Sequence, residues 1–367
     1  MNEQTSLRRK THVLVIVAAL VIIVFGISQA QSVLVLLLVS VFLAVLGTPP
    51  VLWLERKKVP NAVAVLAVIA GMIAVLLVIG GLVGASLASF TASLPQYQSR
   101  LQEQMLALKE LLASKGITIT DKMLLDNVNP AAVMSLTAGL LSGLSSALSS
   151  IVLILLTVLF ILLEVSGFKA KLRASPGDPE KFLPRFTTFV DQIQRYVVIK
   201  TIISMTTGVL VGLWMLTLGV EFPVLWGFLA FLLNYVPNIG VVIAMIPTAL
   251  FAAIQLGLGH AALVVVGYLA INFIIGTAIE PKIVGKGVGL STLVVFLSLI
   301  FWGTLLGLIG AVLCVPITMT LKFLLEINED TRWMGVWLGP EVDDAAGGAV
   351  KEFATETRRT QRKIGKR

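Results

Sequence analysis

Apolar runs long enough to cross a bilayer alternate with short polar breaks, beginning at about residues 12–29, 32–54 and 60–89. A hydrocarbon core of roughly 30 Å takes about 20 helical residues at ~1.5 Å each, so each run is a predicted span. Gln29-Ala30-Gln31 leaves room only for a tight hairpin between the first two, and Glu55-Arg56-Lys57-Lys58 joins the second to the third. Arg8, Arg9, Lys10 and the Arg56–Lys58 cluster place the N-terminus in the cytoplasm by the positive-inside rule. Residues 12–29 are followed by no small-residue cleavage pattern and read as a retained span rather than a signal peptide. Gly80, Gly81 and Gly84 in the third run allow close helix packing.

Residues 90–147 then break the hydropathy. Leu94, Tyr97, Leu101, Met105, Leu108 and Leu112 recur at helical spacing, which predicts an amphipathic helical segment on the extracytoplasmic side. It is either a lever above the pathway or a helix lying on the membrane or its own bundle. A stripe alone reports burial, which favours the second. Residues 133–165 return to the cytoplasm, with Gly139-x-x-x-Gly143 for packing and Glu164 at the inner end. Residues 166–200 carry seven basic residues, Lys200 the last of them, against three acidic ones. With Phe182, Phe186, Phe189, Ile193 and Tyr196 on one face, this is a basic amphipathic helix at the inner lipid surface.

A span at about 197–219 leads to a run at 223–256 that would measure about 51 Å as one helix. Asn234-Tyr235-Val236-Pro237-Asn238-Ile239-Gly240 and Pro247 interrupt it, predicting two arms with a polar tip; a single kinked, tilted span is the alternative. A span at 258–279 contains Asn272, and a break follows from Glu280 to Leu290. The run at 291–325 carries Trp302-Gly303-Thr304 and Gly307, a second candidate tip. The chain thus reads as an all-α polytopic integral membrane protein of about eight membrane segments, with two broken or re-entrant helical hairpins in its C-terminal half. Its regions are 1–89, three spans; 90–147, the outer amphipathic segment; 148–222, the fourth and fifth spans with the cytoplasmic amphipathic helix; 223–335, the transport region; and 336–367, a basic cytoplasmic tail.

Composition agrees. The 367 residues are 57% hydrophobic and 13% charged, where soluble proteins carry about 25% charged residues, and the mean hydropathy is +0.96. The net charge of +8 lies in clusters between apolar runs, as membrane loops require, so no nucleic-acid partner is expected. Cys314 is the only cysteine and sits in an apolar run as packing; with His12 and His260 the only histidines, no metal or cofactor site is expected. No phosphate-binding GxxxxGK[ST] loop, HExxH or Gly-x-Ser-x-Gly elbow is present, so the chain does not read as an enzyme.

What remains is a set of polar groups at helix breaks: Asn234, Pro237, Asn238 and Gly240; Asn272; Glu280, Pro281 and Lys282; and Thr304. Gly285, Gly303, Gly307 and Pro247 are the hinge and packing candidates. Asparagine offers a donor and an acceptor, which suits a small polyhydroxylated solute, and broken helix ends can bind substrate or cation. Glu280 has three readings: it titrates during transport, pairs with Lys282, or caps a neighbouring helix.

Glu280-Pro281-Lys282-Ile283-Val284-Gly285, the run Ser298–Gly307 with its Trp302-Gly303, and Val315-Pro316 resemble the signature of the AI-2E family of transporters. Asn234–Gly240 with Pro247 resembles that family's other motif, and the order of elements matches over roughly residues 10–335. Thr292 departs from the pattern, standing where many relatives have proline, but threonine can still cap that helix. The resemblance implies export of the quorum-sensing signal autoinducer-2, or a similar small polar solute, by an elevator-like displacement. It further implies a homo-oligomer, a pentamer, in the bacterial inner membrane with both termini cytoplasmic. A sodium(lithium)/proton antiporter, with proton or sodium coupling through Glu280, and a non-transporting membrane scaffold are the alternatives.

Overall fold

The computed structural model describes residues 18–19, 21–114, 151–174, 179–237, 239–284, 289–328 and 330–340, and within them every regular element is helical. Residues 21–29 are helical and lead into α1 (Gln31–Arg56) through Ala30, whose torsions of −89° and 11° stay near helical values. The Ala30 N–H donates to Gly26 O and the Leu34 N–H to Ala30 O. The expected tight hairpin at Gln29–Gln31 is therefore a bend, and Val21, Ile22, Ile23 and Phe25 remain exposed instead of packing against α1.

After the turn at Lys57 and Lys58, α2 (Asn61–Ser114) runs for 54 residues without a break, about 81 Å at helical rise. Hydropathy falls after residue 89 but the helix continues through Pro95, because its outer part has a surface to dock on. Leu94 and Tyr97 of the predicted stripe pack into the hydrophobic core; residues 115–147 lie outside the described residues. Next come α3 (Ile151–Ala174) and α4 (Pro179–Thr217), where Glu164 of α3 pairs with Lys171 at the exposed end of its own helix.

The chain then folds back twice. Helix α5 (Pro223–Leu233) opens with Pro223 at its first turn, and α6 (Gly240–Leu256) returns beside it. Gln255 donates to Gly219 O (3.3 Å) and accepts from the Glu221 N–H (3.0 Å), so the two ends of the 223–256 run meet and its tip is the 234–239 turn. Arms of 11 and 17 residues measure about 17 and 26 Å. Helix α7 (Leu258–Asn272) continues through a π-helical segment, Phe273–Ile279, into α8 (Glu280–Val284). Pro281 explains the wide turn: its ring would strike the carbonyl four residues back, and the expanded register removes that clash. The Glu280 N–H accordingly reaches Ile275 O, five residues back.

The second reversal is inside α9 (Thr292–Ile327). Gly307 has φ 66° and ψ −151°, a conformation open to glycine but not to residues with a Cβ. Trp302 Nε1 donates to Thr318 Oγ1 (3.1 Å), and Lys322 Nζ to Gly289 O (2.5 Å). Sixteen residues of straight helix would separate Trp302 and Thr318 by about 24 Å, so the arms lie antiparallel. The N-cap of α9 is Ser291, whose Oγ accepts the Val294 N–H, and Thr292 is its first helical residue. Finally α10 (Arg332–Trp337) lies against the base of this hairpin, where Ser291 N–H donates to Leu338 O.

Packing forms three cores among the described residues: one joins Val236 at the first hairpin's tip to Leu299, Cys314 and Met319 of the second hairpin, and α1 meets that tip directly through Phe42 against Tyr235 (ring centroids 5.9 Å apart). A second core unites α1, α3 and the start of α2 through Ala44, Val51, Ala64, Val65, Val158 and Leu162. The third unites the later part of α2 with α4–α7, and its centre is an aromatic cluster of Phe90, Tyr97, Phe222, Trp226 and Phe251. Large apolar side chains such as Leu77 (71% exposed) and Val152 (72%) point outward. Among the described residues, five helices are long and apolar enough to cross a membrane: Gln31–Arg56, Asn61–Tyr97, Phe182–Thr217, Leu258–Ile283 and Thr292–Ile327. An apolar exterior of this extent fits lipid, not water.

Candidate functional site

Lys200, Ser204, Thr207, Val211 and Met215 follow each other on α4 at intervals of three and four, so they share one face, and all five are buried. The polar half of that face looks onto the tip of the first hairpin. Asn234 Nδ2 donates to Ser204 Oγ (3.0 Å), and the Tyr235 hydroxyl donates to Thr201 Oγ1 (2.9 Å). Lys200 Nζ donates to Glu280 Oε1 at 2.5 Å across from α8, with side chains only 6% and 22% exposed. Thr207 Oγ1 is buried with no hydrogen-bond partner. The result is a polar seam inside an apolar bundle, containing one cation and one carboxylate that cancel.

Local chemistry sets these positions. Glycine draws α4 and α5 together: a Cβ on Gly208 would lie 2.7 Å from Gly227 O, and one on Gly227 would lie 2.7 Å from Gly208 O. At the tip, a Cβ on Gly240 would lie 1.7 Å from Leu233 O, so only glycine lets the returning arm start there. Pro237 is half-buried in the turn, where its carbonyl accepts the Ile239 N–H (2.7 Å). Pro247 sits inside α6 beside Thr248, whose buried hydroxyl bonds Ala244 O (2.8 Å) and meets the Tyr268 hydroxyl (3.0 Å). The wide π turn carries the chain from Asn272 to Glu280, and π segments concentrate at functional sites.

Of the residues singled out in the sequence, Asn234, Gly240 and Glu280 lie at the seam or its tip. Asn272 is half-buried at the start of the π segment, its side-chain oxygen against Gly276. Pro281 and Lys282 are exposed, and the partner of Glu280 is Lys200 rather than Lys282. Thr304 is exposed and bonds the carbonyls of Ile300 and Phe301 on its own helix. Gly303 is half-buried and faces Ala311 across the second hairpin, and Gly307 forms its tip. Asn238 and Gly285 lie outside the described residues. Sequence reasoning missed Lys200, Ser204 and Thr207. Their i, i+4, i+7 spacing was the available signal, hidden because Lys200 ended a run of loop cations.

A multi-pass helical membrane protein, with a charge-compensated polar seam where a hairpin tip meets broken helix, is the class this geometry defines. The profile of the AI-2E family transporter matches residues 14–329. The chain belongs to the AI-2E family of transporters. It is 40% identical over 314 residues to the AI-2 transport protein TqsA of Escherichia coli K12, covering 86% of this chain and 91% of that one. It is 35% identical over 329 residues to the putative transport protein YhhT of the same organism, covering 90% and 94%. A putative transport protein of Haemophilus influenzae is 35% identical over 334 residues, covering 89% and 96%.

Proposed function

We propose that this chain is a secondary transporter exporting a small, uncharged, hydroxyl-rich solute such as autoinducer-2, and that the solute binds in the α4–hairpin seam. The observation that carries this reading is the seam itself: hydroxyl, amide and ion-paired groups buried together, including a Thr207 hydroxyl without a partner. Buried polar groups are costly unless satisfied, and a solute with several hydroxyls supplies both donors and acceptors. Because Lys200 and Glu280 offset one another, a neutral cargo adds no unbalanced charge. The name of the TqsA relative supports autoinducer-2 as the first solute to try.

In this reading the hairpins are re-entrant, since an arm of 11 residues is too short to cross a bilayer. The α4–α7 group moves in elevator fashion against α1 and α3, and the separate cores of these two groups support such a division. The Arg56–Lys58 turn faces the cytoplasm of an inner-membrane protein, with both termini on that side, and the assembly is a homo-oligomer, a pentamer.

Sodium/proton antiport is the second reading, favoured by the presence of a carboxylate, Glu280, at the seam. It ranks lower because a cation would have to displace the Lys200 ammonium held 2.5 Å away. Purified protein in liposomes decides between them. Efflux of autoinducer-2 that is lost in Asn234→Ala supports the first reading. Sodium-dependent collapse of a pH gradient without solute flux replaces it with the second, and the absence of both defeats the assignment.

A further inference from the structure

A cleft of about 550 Å³ opens at the other end of α4, between its first turns, the returning arm of the second hairpin, and α10. Its volume lies within the ~300–1,000 Å³ of small-molecule sites. The lining brings Arg185, Lys322 and Arg332 together with a single carboxylate, Glu326. Lys322 is engaged by Gly289 O at 2.5 Å and by Glu326 at 3.5 Å, where it fastens the base of the hairpin. Among the described residues neither guanidinium has a carboxylate partner, so Arg185 and Arg332 give the cleft a net positive charge. The apolar wall is Phe189 stacked on Phe323, ring centroids 4.0 Å apart. Beside it α10 presents Trp333 and Trp337, 60% and 81% exposed.

We propose that this cleft is a binding site for the phosphate headgroup of an anionic phospholipid. Two guanidinium groups match phosphate oxygens in a way that lysines on a loop do not. Exposed tryptophans beside them are placed as residues at the headgroup level of a membrane are, and basic pockets between helices are a recognised form of headgroup site. The aromatic wall and the exposed Leu324 continue the cleft onto the lipid-facing surface, which gives the acyl chains a path. A lipid held there links α4, which carries Lys200, to the returning arm of the second hairpin. The site stands on its own residues and does not depend on the identity of the transported solute.

The test uses full-length protein purified in detergent and native mass spectrometry during titration with phosphatidylglycerol or phosphatidylcholine. The expected result is retained phosphatidylglycerol in preference to phosphatidylcholine, with apparent affinity falling about tenfold or more in Arg185→Gln/Arg332→Gln. Arg56→Gln, which removes an exposed cation elsewhere, should leave it unchanged. Arg185→Gln alone, at an exposed position, gives the same reading if the double variant fails to fold. Equal retention by wild type and variants would overturn the proposal. So would displacement by millimolar inorganic phosphate, which would mark a free-anion site instead.

Discussion

Replacing Glu280 by glutamine leaves the Lys200 ammonium in the seam without its counter-charge. Breaking a buried pair by removing one member costs roughly 3–5 kcal/mol, because the remaining charge is stranded away from water. The Lys200 side chain is 6% exposed, so Glu280→Gln should cost roughly 3 kcal/mol, the low end because glutamine still accepts one hydrogen bond. The reverse change, Lys200→Met, strands Glu280, which at 22% exposure keeps some hydration; the loss should be nearer ~2 kcal/mol. At about 2 °C per kcal/mol for a chain of this size, midpoints should fall by about 6 and 4 °C. The double variant Lys200→Met/Glu280→Leu strands nothing, and replacing both members of a buried pair is often neutral or stabilising. It should therefore melt close to wild type. The assay is a thermal midpoint of purified protein beside solute flux in liposomes. If the pair serves transport, the double variant is stable and inactive. Midpoints unchanged in both single variants would refute the energetic reasoning. A stable double variant with normal flux would refute the placement of the pair in the site.

Three further substitutions separate structure from transport. Gly240→Ala should abolish folded protein in the membrane fraction, measured by size-exclusion recovery, because its Cβ would fall 1.7 Å from Leu233 O. Thr207→Val removes a buried hydroxyl without a partner, so the thermal midpoint should hold or rise by the equivalent of ~1 kcal/mol. Its solute flux should drop at equal protein level, and unchanged flux would remove Thr207 from the site. Thr304→Val alters a hydroxyl that bonds only carbonyls of its own helix in this structure. Flux within twofold of wild type is the expected result, and a large loss would place Thr304 in the pathway.

Both reversals were legible because the residues that make them are chemically unlike their surroundings. Asn234, Pro237 and Gly240 stand in an apolar run, and a polar tip is the cheapest way to use them in lipid. Gly307 stood out for the same reason, although sequence did not show that it, rather than Trp302–Thr304, carries the left-handed torsion. The ion pair was not legible. Lys200 and Glu280 are 80 positions apart, and a lysine at the end of a basic stretch looks like a topology signal until a tertiary partner is found for it. Glu280 instead had a lysine two places away, but on a helix such neighbours do not face each other. The continuity of α2 past residue 89 escaped for a related reason. Hydropathy marks where lipid ends, not where a helix ends, and Tyr97 is held by Glu221 and Phe251 from elsewhere in the chain.

That long helix has a mechanical consequence. Near its start Ala64, Val65 and Ile69 are packed into the core with α1 and α3, and further along Val83, Phe90 and Tyr97 are packed into the core with α4–α7. A stiff rod clamped at two places cannot slide along both. Displacement of α4–α7 past α1 and α3 would have to either break a clamp or tip the rod about the remaining one. In the proposed elevator motion the weaker clamp would therefore set the stroke. Because α2 extends well beyond Tyr97, to Ser114, a small tilt at the clamp would become a larger sweep toward Ser114, where a distance probe would read it.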